Sequence, residues 1–277
     1  EGKSECGEAA DNVEQAIPEQ QGASKKLNEQ QPGEASKKQQ KALEKLQKAK
    51  EKIEESLQQL RREQQEEMLA ALEARFRAML ARQVECTQST SRLAGLDKTK
   101  WTRTDQLQAA EVSQRQRWVA DEAQKAHYIL TEEGTTVVFP QIVEQVRDDA
   151  REAADRLSGA KADTATVSLQ QSIEQTLREL IDAIAKKREE NEKQSQFPAN
   201  PGEDDASQPL LPGSAELTLL RACQERVNLA TKQLHEDHFK PGAQAGDLAT
   251  RIEKTAARQQ VVSEMAKKMQ ESLTRPQ

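Results

Sequence analysis

The sequence predicts an all-α protein, an elongated helical bundle with long coiled-coil-like helices and a C-terminal antiparallel helical hairpin. Hydrophobic residues make up 35% of the chain, charged residues 32% and aromatic residues only 3%. Apolar atoms must therefore be buried in narrow seams between helices rather than in one large core. Residues 34–94 contain neither Gly nor Pro. The C-terminal region repeats its apolar residues at four-three spacing, which keeps one side of a helix facing a partner helix.

Residues 1–36 are predicted to form a flexible tail. They are rich in Glu, Gln, Gly, Ser and Lys and contain Pro18 and Pro32. Few apolar residues are available there to offset the entropy that is lost when a chain becomes ordered. A second flexible segment is predicted as a linker over residues 191–209, which contain prolines and an acidic run.

Residues 37–92 are predicted to form one long coiled-coil-like helix, because Ala, Glu, Lys, Gln, Leu and Arg favour helices most strongly. Its seam begins as a heptad that Lys50 interrupts, and it continues at spacings of four, a stutter that relaxes a supercoil. The heptad consists of Leu43, Leu46, Ile53, Leu57 and Leu60, and the stutter of Gln64, Met68, Leu72 and Phe76. We expect this helix, from about Lys37 to Val84, to offer the surface on which a partner binds.

Residues 93–190 are predicted to form a helical bundle segment of three helices. Thr102 or Thr104 caps the first of them, and Gly134 ends it. A short β-favouring run follows, which is interpreted as an apolar connector because it is too short for a sheet. Pro140 is then expected at the first position of the second helix.

The three helices of this segment have predicted buried faces at helical spacing, and the face of the third helix is the most apolar of the chain. The third helix is expected to open at Asp163 or Thr166. The predicted faces are Leu107, Ala110, Trp118, Ile129 and Leu130; then Ile142, Val143, Val146, Ala150, Ala153 and Leu157; then Leu169, Ile173, Leu177, Leu180, Ile181 and Ile184.

Residues 210–277 are predicted to form an antiparallel helical hairpin, since two helices of similar length are joined by a short loop at residues 240–246. A charge placed in the seam would be buried without a partner, so Ile252→Asp is expected to disrupt the hairpin. The predicted seam consists of Leu217, Leu220, Gln224, Val227, Thr231 and Leu234 on one helix, and of Leu248, Ile252, Thr255, Gln259, Val262, Ala266, Met269 and Leu273 on the other.

No motif of a catalytic or nucleotide-binding site occurs in the chain, so no catalytic residue and no cofactor is predicted. Acidic pairs such as Asp148–Asp149 are adjacent in sequence, and their side chains diverge around a helix. The net charge is −6 with both signs interspersed, which gives no basic footprint for a nucleic-acid partner. No apolar run approaches the roughly 18 residues that a membrane span requires.

Histidines and cysteines are the remaining candidates for chemistry. His235 and His238 lie three residues apart at a helix end, where they either bind a transition metal or interact with the helix dipole. The second interpretation is preferred, so no metal is predicted. Cys86 and Cys223 are interpreted as small buried apolar residues, and Cys6 as an exposed thiol.

Six strings of the sequence carry a resemblance to known proteins. They are MLAALEARFRAML at 68–80, EGTTVVFP at 133–140, VEQVRDD at 143–149, LRELIDA at 177–183, LLPGSAELTLLR at 210–221 and QERVN at 224–228. Together they resemble an uncharacterised family of long helical, coiled-coil-containing bacterial proteins, over roughly residues 43–234. The resemblance implies an exported, periplasmic or envelope-associated protein, and it transfers no catalytic or binding residue.

The predicted function is that of a non-enzymatic structural or protein-interaction protein that binds a partner, or itself, through coiled-coil seams. One alternative is a helical segment of a membrane-tethered envelope assembly. The chain starts at Glu1 rather than Met, which is interpreted as the start of a processed protein or an excised fragment. The other alternative is a metal-binding module that uses His235 and His238.

Overall fold

The computed structural model describes residues 2–195, 209–238 and 245–274, and most of these residues lie in helices. Within these ranges no strand occurs, so the all-α class is confirmed. The helices are α1 (Gly2–Asn28), α2 (Pro32–Ala94), α3 (Arg103–Glu133), α4 (Val138–Ser158), α5 (Thr164–Ser195), α6 (Gly213–His238) and α7 (Ala245–Thr274), with a 3-10 turn at Lys98–Lys100.

The described chain divides into two units, each with its own contacts. The first comprises residues 2–68, and the second comprises the described residues from 69 onward. Helix α2 therefore contributes residues 32–68 to the first unit and residues 69–94 to the second. The first unit, formed by α1 and the first part of α2, is called the N-terminal hairpin below.

Residues 1–36 differ from the flexible tail that the sequence predicts, because most of them belong to α1. The turn after α1 places Gln30 in the left-handed region, with a φ of 57°. There the Gln31 backbone N–H donates to the Lys26 carbonyl at 2.9 Å, and the Gln30 N–H donates to the Leu27 carbonyl at 3.0 Å. These two bonds satisfy carbonyl groups at the helix end and direct the chain back along α1.

An alanine seam closes the N-terminal hairpin. Alanine has a short side chain and lets two helices approach closely, since the distance between helix axes depends on the side chains at the contact. A Cβ added at Gly22 would lie 2.9 Å from the Lys38 Cδ, which shows how near the helices are. Methyl groups, rather than large side chains, therefore fill the contact that residues 9–35 make within the hairpin. The seam repeats every seven residues and is buried throughout: Ala9, Ala16 and Ala23 on α1, and Ala35, Ala42 and Ala49 on α2.

The second unit is a packed helical bundle in which α4 contacts α3, α5, α6 and α7. All six residues of the predicted α4 face are buried, so that prediction is confirmed. The rings of Phe76 on α2 and Phe139 on α4 pack edge to face, with centroids 6.0 Å apart, a favourable aromatic geometry. On α5 the predicted residues from Ile173 to Ile184 are buried, whereas Leu169 is half-buried.

A buried chain of three glutamine side chains joins α2, α3 and α5. The Gln116 Nε2 donates to the Gln83 Oε1 at 2.6 Å, and the Gln170 Nε2 donates to the Gln116 Oε1 at 3.0 Å. A buried amide that loses its partner costs free energy, so these bonds favour one register of the three helices.

Helix ends in the second unit agree with the sequence in three places and differ in one. Thr102 forms a capping box with Asp105, and Gly134 ends α3 with a φ of 72°. Asp163 accepts the Thr166 N–H at 2.9 Å before the first turn of α5. Pro140, expected at the first helical position, is instead the third residue of α4, where its missing N–H still removes no intrahelical bond.

The buried face of α3 differs from the prediction. Leu107 and Ala110 are exposed, and Trp118 and Ile129 are half-buried, whereas Leu130 is buried as predicted. Most of the other buried residues of α3 are small. The face is formed by Ala109, Val112, Ser113, Gln116, Val119, Ala120, Ala123, Ala126 and Leu130.

Helices α6 and α7 pack against each other. Only residues 239–244 separate them, too few to return along the full length of a helix, so the two helices are antiparallel. The predicted seam is only partly displaced on α7, where Val262 and Met269 are buried as predicted and Met265 is buried in place of Ala266. Ala266 is exposed, and Ile252 is 50% exposed, because the observed seam follows the alternate phase of the four-three pattern. On α6, Val227 and Leu234 are buried as predicted, whereas Leu217 is exposed.

Parts of three predictions concern residues that the structure does not describe. These parts are residues 240–244 of the predicted loop, residues 196–208 of the predicted linker, and the seam position of Leu273, whose side chain is not described. The linker was predicted to begin at residue 191, but α5 continues to Ser195.

The displaced seam predicts unequal effects for two matched substitutions on α7. Met265→Asp places a carboxylate at a position that is 1% exposed, and we expect it to lower the free energy of unfolding by about 2 kcal/mol. Ile252→Asp lies on the exposed side, and we expect a change within about 0.5 kcal/mol. Urea unfolding monitored by circular dichroism measures both. Equal losses in the two variants would show that the seam of α7 is assigned incorrectly.

Candidate interaction surface

Eight large apolar side chains of the N-terminal hairpin are exposed, by 37% to 56%. They account for more than half of the exposed large hydrophobic residues in the described part of the chain. Together they are called the apolar face: Val13, Ile17 and Leu27 on α1, and Leu43, Leu46, Ile53, Leu57 and Leu60 on α2. The five α2 residues are the heptad that the sequence predicts, so that heptad lies on the surface and not in the seam of the hairpin.

The residues of the apolar face have the same offsets from the alanine seam on both helices. Ile17 follows Ala16 by one residue, as Leu43 follows Ala42. Val13, Leu27, Leu46, Ile53 and Leu60 each lie four residues after a position of the sevenfold repeat. In two antiparallel helices that face each other, equal offsets lie on the same side of the pair. The two stripes therefore form one surface.

The opposite side of the hairpin is polar, and its contacts fix the register of α1 against α2. Lys38 pairs with Glu19 at 3.0 Å, and the Lys45 Nζ donates to the Gln15 Oε1 at 2.6 Å. Lys52 pairs with Glu8 at 3.7 Å. The lysines lie three residues after seam alanines, on the side away from the apolar face. The hairpin thus has one charged side and one apolar side.

The apolar face is large for a surface that faces water. At their exposed fractions its eight side chains present on the order of 700 Å² of apolar area, whereas the largest patch on a typical monomer is roughly 300–600 Å². Patches of this size mark interaction sites. Lys50 interrupts the α2 stripe and lies 3.4 Å from Glu54, with both side chains mostly exposed. Such an exposed pair contributes little to stability.

The sequence contains a signal for this surface that counting large apolar residues misses. Alanine recurs at intervals of seven residues from Ala9 to Ala23 and again from Ala35 to Ala49. Once these alanines are assigned to the seam, the heptad leucines of α2 must lie beside the seam. Val13, Ile17 and Leu27 lie at equivalent positions within the segment that is predicted to be a tail.

The structure does not assemble the two histidines into a metal site among the residues that it describes. His235 is exposed near the end of α6, and the side chain of His238 lies outside the described side chains. No group of three or more His, Cys, Asp or Glu residues in the described part is placed to hold a metal ion. The preferred interpretation of a helix-terminal histidine stays a prediction.

The cysteines have the environments that the sequence predicts. Cys86 and Cys223 are buried, and Cys6 is exposed. Burial raises the pKa of the Cys86 thiol to about 12, and burial also raises the pKa of the Cys223 thiol. Both thiols are therefore protonated at neutral pH and are poor nucleophiles.

The acidic pair Asp148–Asp149 diverges around α4, as predicted. Asp148 accepts a hydrogen bond from the Arg147 Nε at 2.7 Å, whereas Asp149 pairs with Arg258 of α7 and lies 3.9 Å from Lys254. These ion pairs join α4 to α7. A small cavity beside them, between α4, α5, α6 and α7, has a volume of about 20 Å³, which is room for one water molecule.

Comparisons with known proteins add no assignment. The chain matches no protein-family model, and no curated protein or solved structure is significantly similar to it. None of the described helices combines the length and the apolar character that crossing a lipid bilayer requires.

Proposed function

We propose that the protein is a non-enzymatic helical interaction protein that binds a protein partner through the apolar face of its N-terminal hairpin. The observation that carries this proposal is the exposure of eight large apolar side chains on one side of a hairpin whose own seam is already filled by alanine. Covering such a surface with another protein removes apolar area from water, which is the main driving force for association.

Within the hairpin, alanines lie between the two helices and larger apolar residues are exposed, which supports an interaction role. The alanines are buried between α1 and α2, whereas the leucines and isoleucines beside them keep 37% to 56% of their surface exposed. Leu46 and Ile53 nevertheless keep the spacing that a helical partner requires. The envelope association that the family resemblance implies stays a prediction, and cell fractionation checks it.

A site-specific photo-crosslinking experiment tests this proposal in cells that produce the protein. A benzophenone amino acid at Leu46, on the apolar face, is expected to form a defined protein adduct when the cells are irradiated. The matched control is Lys48, which is two residues away, exposed, and on the charged side of the hairpin. The control is expected to form little or no adduct.

Two outcomes would contradict the proposed function. If the benzophenone amino acid gives no adduct with any protein at Leu46, nor in a second variant at Ile53, the apolar face has no partner. If Leu46 and Lys48 give the same adducts at the same yield, the crosslinks report random encounters and not a specific surface.

A further inference from the structure

We infer that the partner of the apolar face is a second copy of this chain, and that two N-terminal hairpins pair into an antiparallel four-helix bundle. This inference rests on the proposed function, because it names the partner of the same surface. The face is two helices wide, and another hairpin of the same width covers both stripes at once. Four-helix bundles of two hairpins bury such stripes in their centre.

The stripes have the spacing of bundle positions. On α2 the stripe steps alternately by three and four residues through Leu43, Leu46, Lys50, Ile53, Leu57 and Leu60. On α1, Val13, Ile17 and Leu27 lie on the same pattern, with Gln20 and Ser24 at the two positions between Ile17 and Leu27. A four-three pattern keeps a stripe aligned with a partner helix over its whole length. Each helix of the hairpin thus carries two seams, and only the alanine seam is filled within one copy.

A two-fold axis parallel to the helices gives a matched register. Within one hairpin, the hydrogen bond between Lys45 and Gln15 places these two residues at the same height along the helix axes, which is called their level below. Ile17 is then level with Leu43, and Val13 lies close to the level of Leu46. The two-fold axis preserves these levels while it places α2 of one copy on α1 of the other. Leu43 therefore meets Ile17 of the partner subunit, and all neighbouring helices are antiparallel.

The area agrees with what a stable dimer needs. Two faces of on the order of 700 Å² each give roughly 1,400 Å² of apolar surface, within the 1,200–2,000 Å² range of stable interfaces. The flanks of the bundle add polar contacts to this area. Interfaces of roughly this size belong to complexes whose dissociation constants range from about micromolar to picomolar.

Charge is also complementary in this arrangement. The side chains that border the face are mostly uncharged amides, which do not repel each other in two identical copies: Gln21 and Asn28 on α1, and Gln40 and Gln47 on α2. Lys50 is level with Ala10, and Glu14 lies one helical turn further along α1. Lys50 is thus within reach of Glu14 of the partner subunit. A lysine within an apolar stripe specifies register and lowers stability, as polar residues do at seam positions of coiled coils.

Sedimentation velocity of the full-length chain over about 1–100 μM tests the dimer. The wild-type chain is expected to sediment with twice its mass of 31.0 kDa. The double variant Leu46→Glu/Ile53→Glu is expected to sediment as a monomer with unchanged helicity. The matched control Leu107→Glu changes an exposed leucine on α3 and is expected to remain a dimer. A wild-type monomer at every concentration, or a dimer in the double variant, would overturn the inference.

Three further variants keep the test independent of folding defects. Lys50→Leu completes the α2 stripe and is expected to tighten the dimer at least tenfold, since one charge no longer has to leave water. Lys50→Glu brings two carboxylates together and is expected to weaken the dimer about tenfold, whereas adding Glu14→Lys restores it. Looser association of Lys50→Leu, or no restoration in the charge-reversed pair, contradicts the stated arrangement.

The outcomes separate this inference from the proposed function. A monomeric wild-type protein, together with a crosslink from Leu46 to a different protein in cells, overturns the second copy as partner and leaves the interaction surface intact. A monomeric protein without any crosslink overturns both.

Discussion

Replacing Glu216 by alanine is expected to lower the free energy of unfolding by about 3 kcal/mol, because one carboxylate of α6 caps the start of α4. The Glu216 Oε1 accepts the backbone N–H groups of Val137 and Val138, each at 2.8 Å. It also accepts the Phe139 N–H at 3.3 Å. No other side chain caps this helix at Val137, and the variant leaves these N–H groups without a protein acceptor.

The matched variant Glu216→Gln retains one oxygen acceptor and replaces the other oxygen by an amide NH2 group. We expect a smaller loss of about 1 kcal/mol, since the N–H groups of α4 keep an acceptor while the new NH2 group is buried and needs an acceptor of its own. Chemical unfolding monitored by circular dichroism measures both variants, and hydrogen exchange at Val138 and Phe139 localises the effect. If Glu216→Ala leaves the exchange of these amides unchanged, the carboxylate does not cap α4.

Ionisation of Glu216 also gives the wild-type protein a pH dependence of stability that neither variant has. Burial raises the pKa of this carboxyl above its ordinary value of 4.5, and the three backbone hydrogen bonds oppose that shift. The folded state therefore binds the proton more tightly than the unfolded state. The carboxyl's contribution to stability decreases as pH rises from about 4.5 to the raised folded pKa. Glu216→Gln removes this decrease.

Sequence patterns correctly predict the buried faces of those helices that pack through large apolar side chains. The α4 face from Ile142 to Leu157 and most of the α5 face from Ile173 to Ile184 are predicted correctly, because branched and long apolar residues recur there at helical spacing. Capping by Thr102 and termination at Gly134 are also predicted, since each depends only on its neighbours in the chain.

Packing through alanine is missed by the same reasoning. Alanine favours helices wherever it occurs, so its presence on α1 and α3 does not by itself distinguish a buried position from an exposed one. Ala109 is buried, whereas the neighbouring Leu107 is exposed. On α1 only the interval of seven residues distinguishes the buried alanines from an exposed one. The location of the apolar face depends on which alanines are buried.

Contacts between distant residues cannot be predicted from local pattern. Glu216 lies in the first turn of α6 and resembles an ordinary surface residue there, but its partners precede it by 77 to 79 residues. The sequence of α4 contains a weak signal for this contact, because the N-cap residue of the helix is Val137 and not a Ser, Thr, Asp or Asn. The sequence pattern also assigns the wrong phase to the α7 seam. It counts Ile252 as a seam residue because this residue is large and apolar, although Ile252 lies on the exposed side.

A leucine in the alanine seam is expected to separate the two helices of the N-terminal hairpin. Ala42 is 3% exposed, and Ala42→Leu adds three carbon atoms where the helices are closest. We expect a loss of about 3 kcal/mol in the stability of the hairpin, at the upper end of overpacking effects, because α1 has no other large buried contact in its seam. Hydrogen exchange of the α1 and α2 amides measures this local stability.

Two controls make the result specific to the seam. Glu44→Leu adds the same side chain at an exposed position two residues away, and its effect is expected within about 0.5 kcal/mol. Leu43→Ala truncates a residue that is 56% exposed and belongs to the heptad that the sequence favours as the seam. All three changes are made in the Leu46→Glu/Ile53→Glu background, so that self-association does not contribute. If Leu43→Ala proves costly and Ala42→Leu is tolerated, the leucines hold α1 to α2, and the apolar face is then not a free surface.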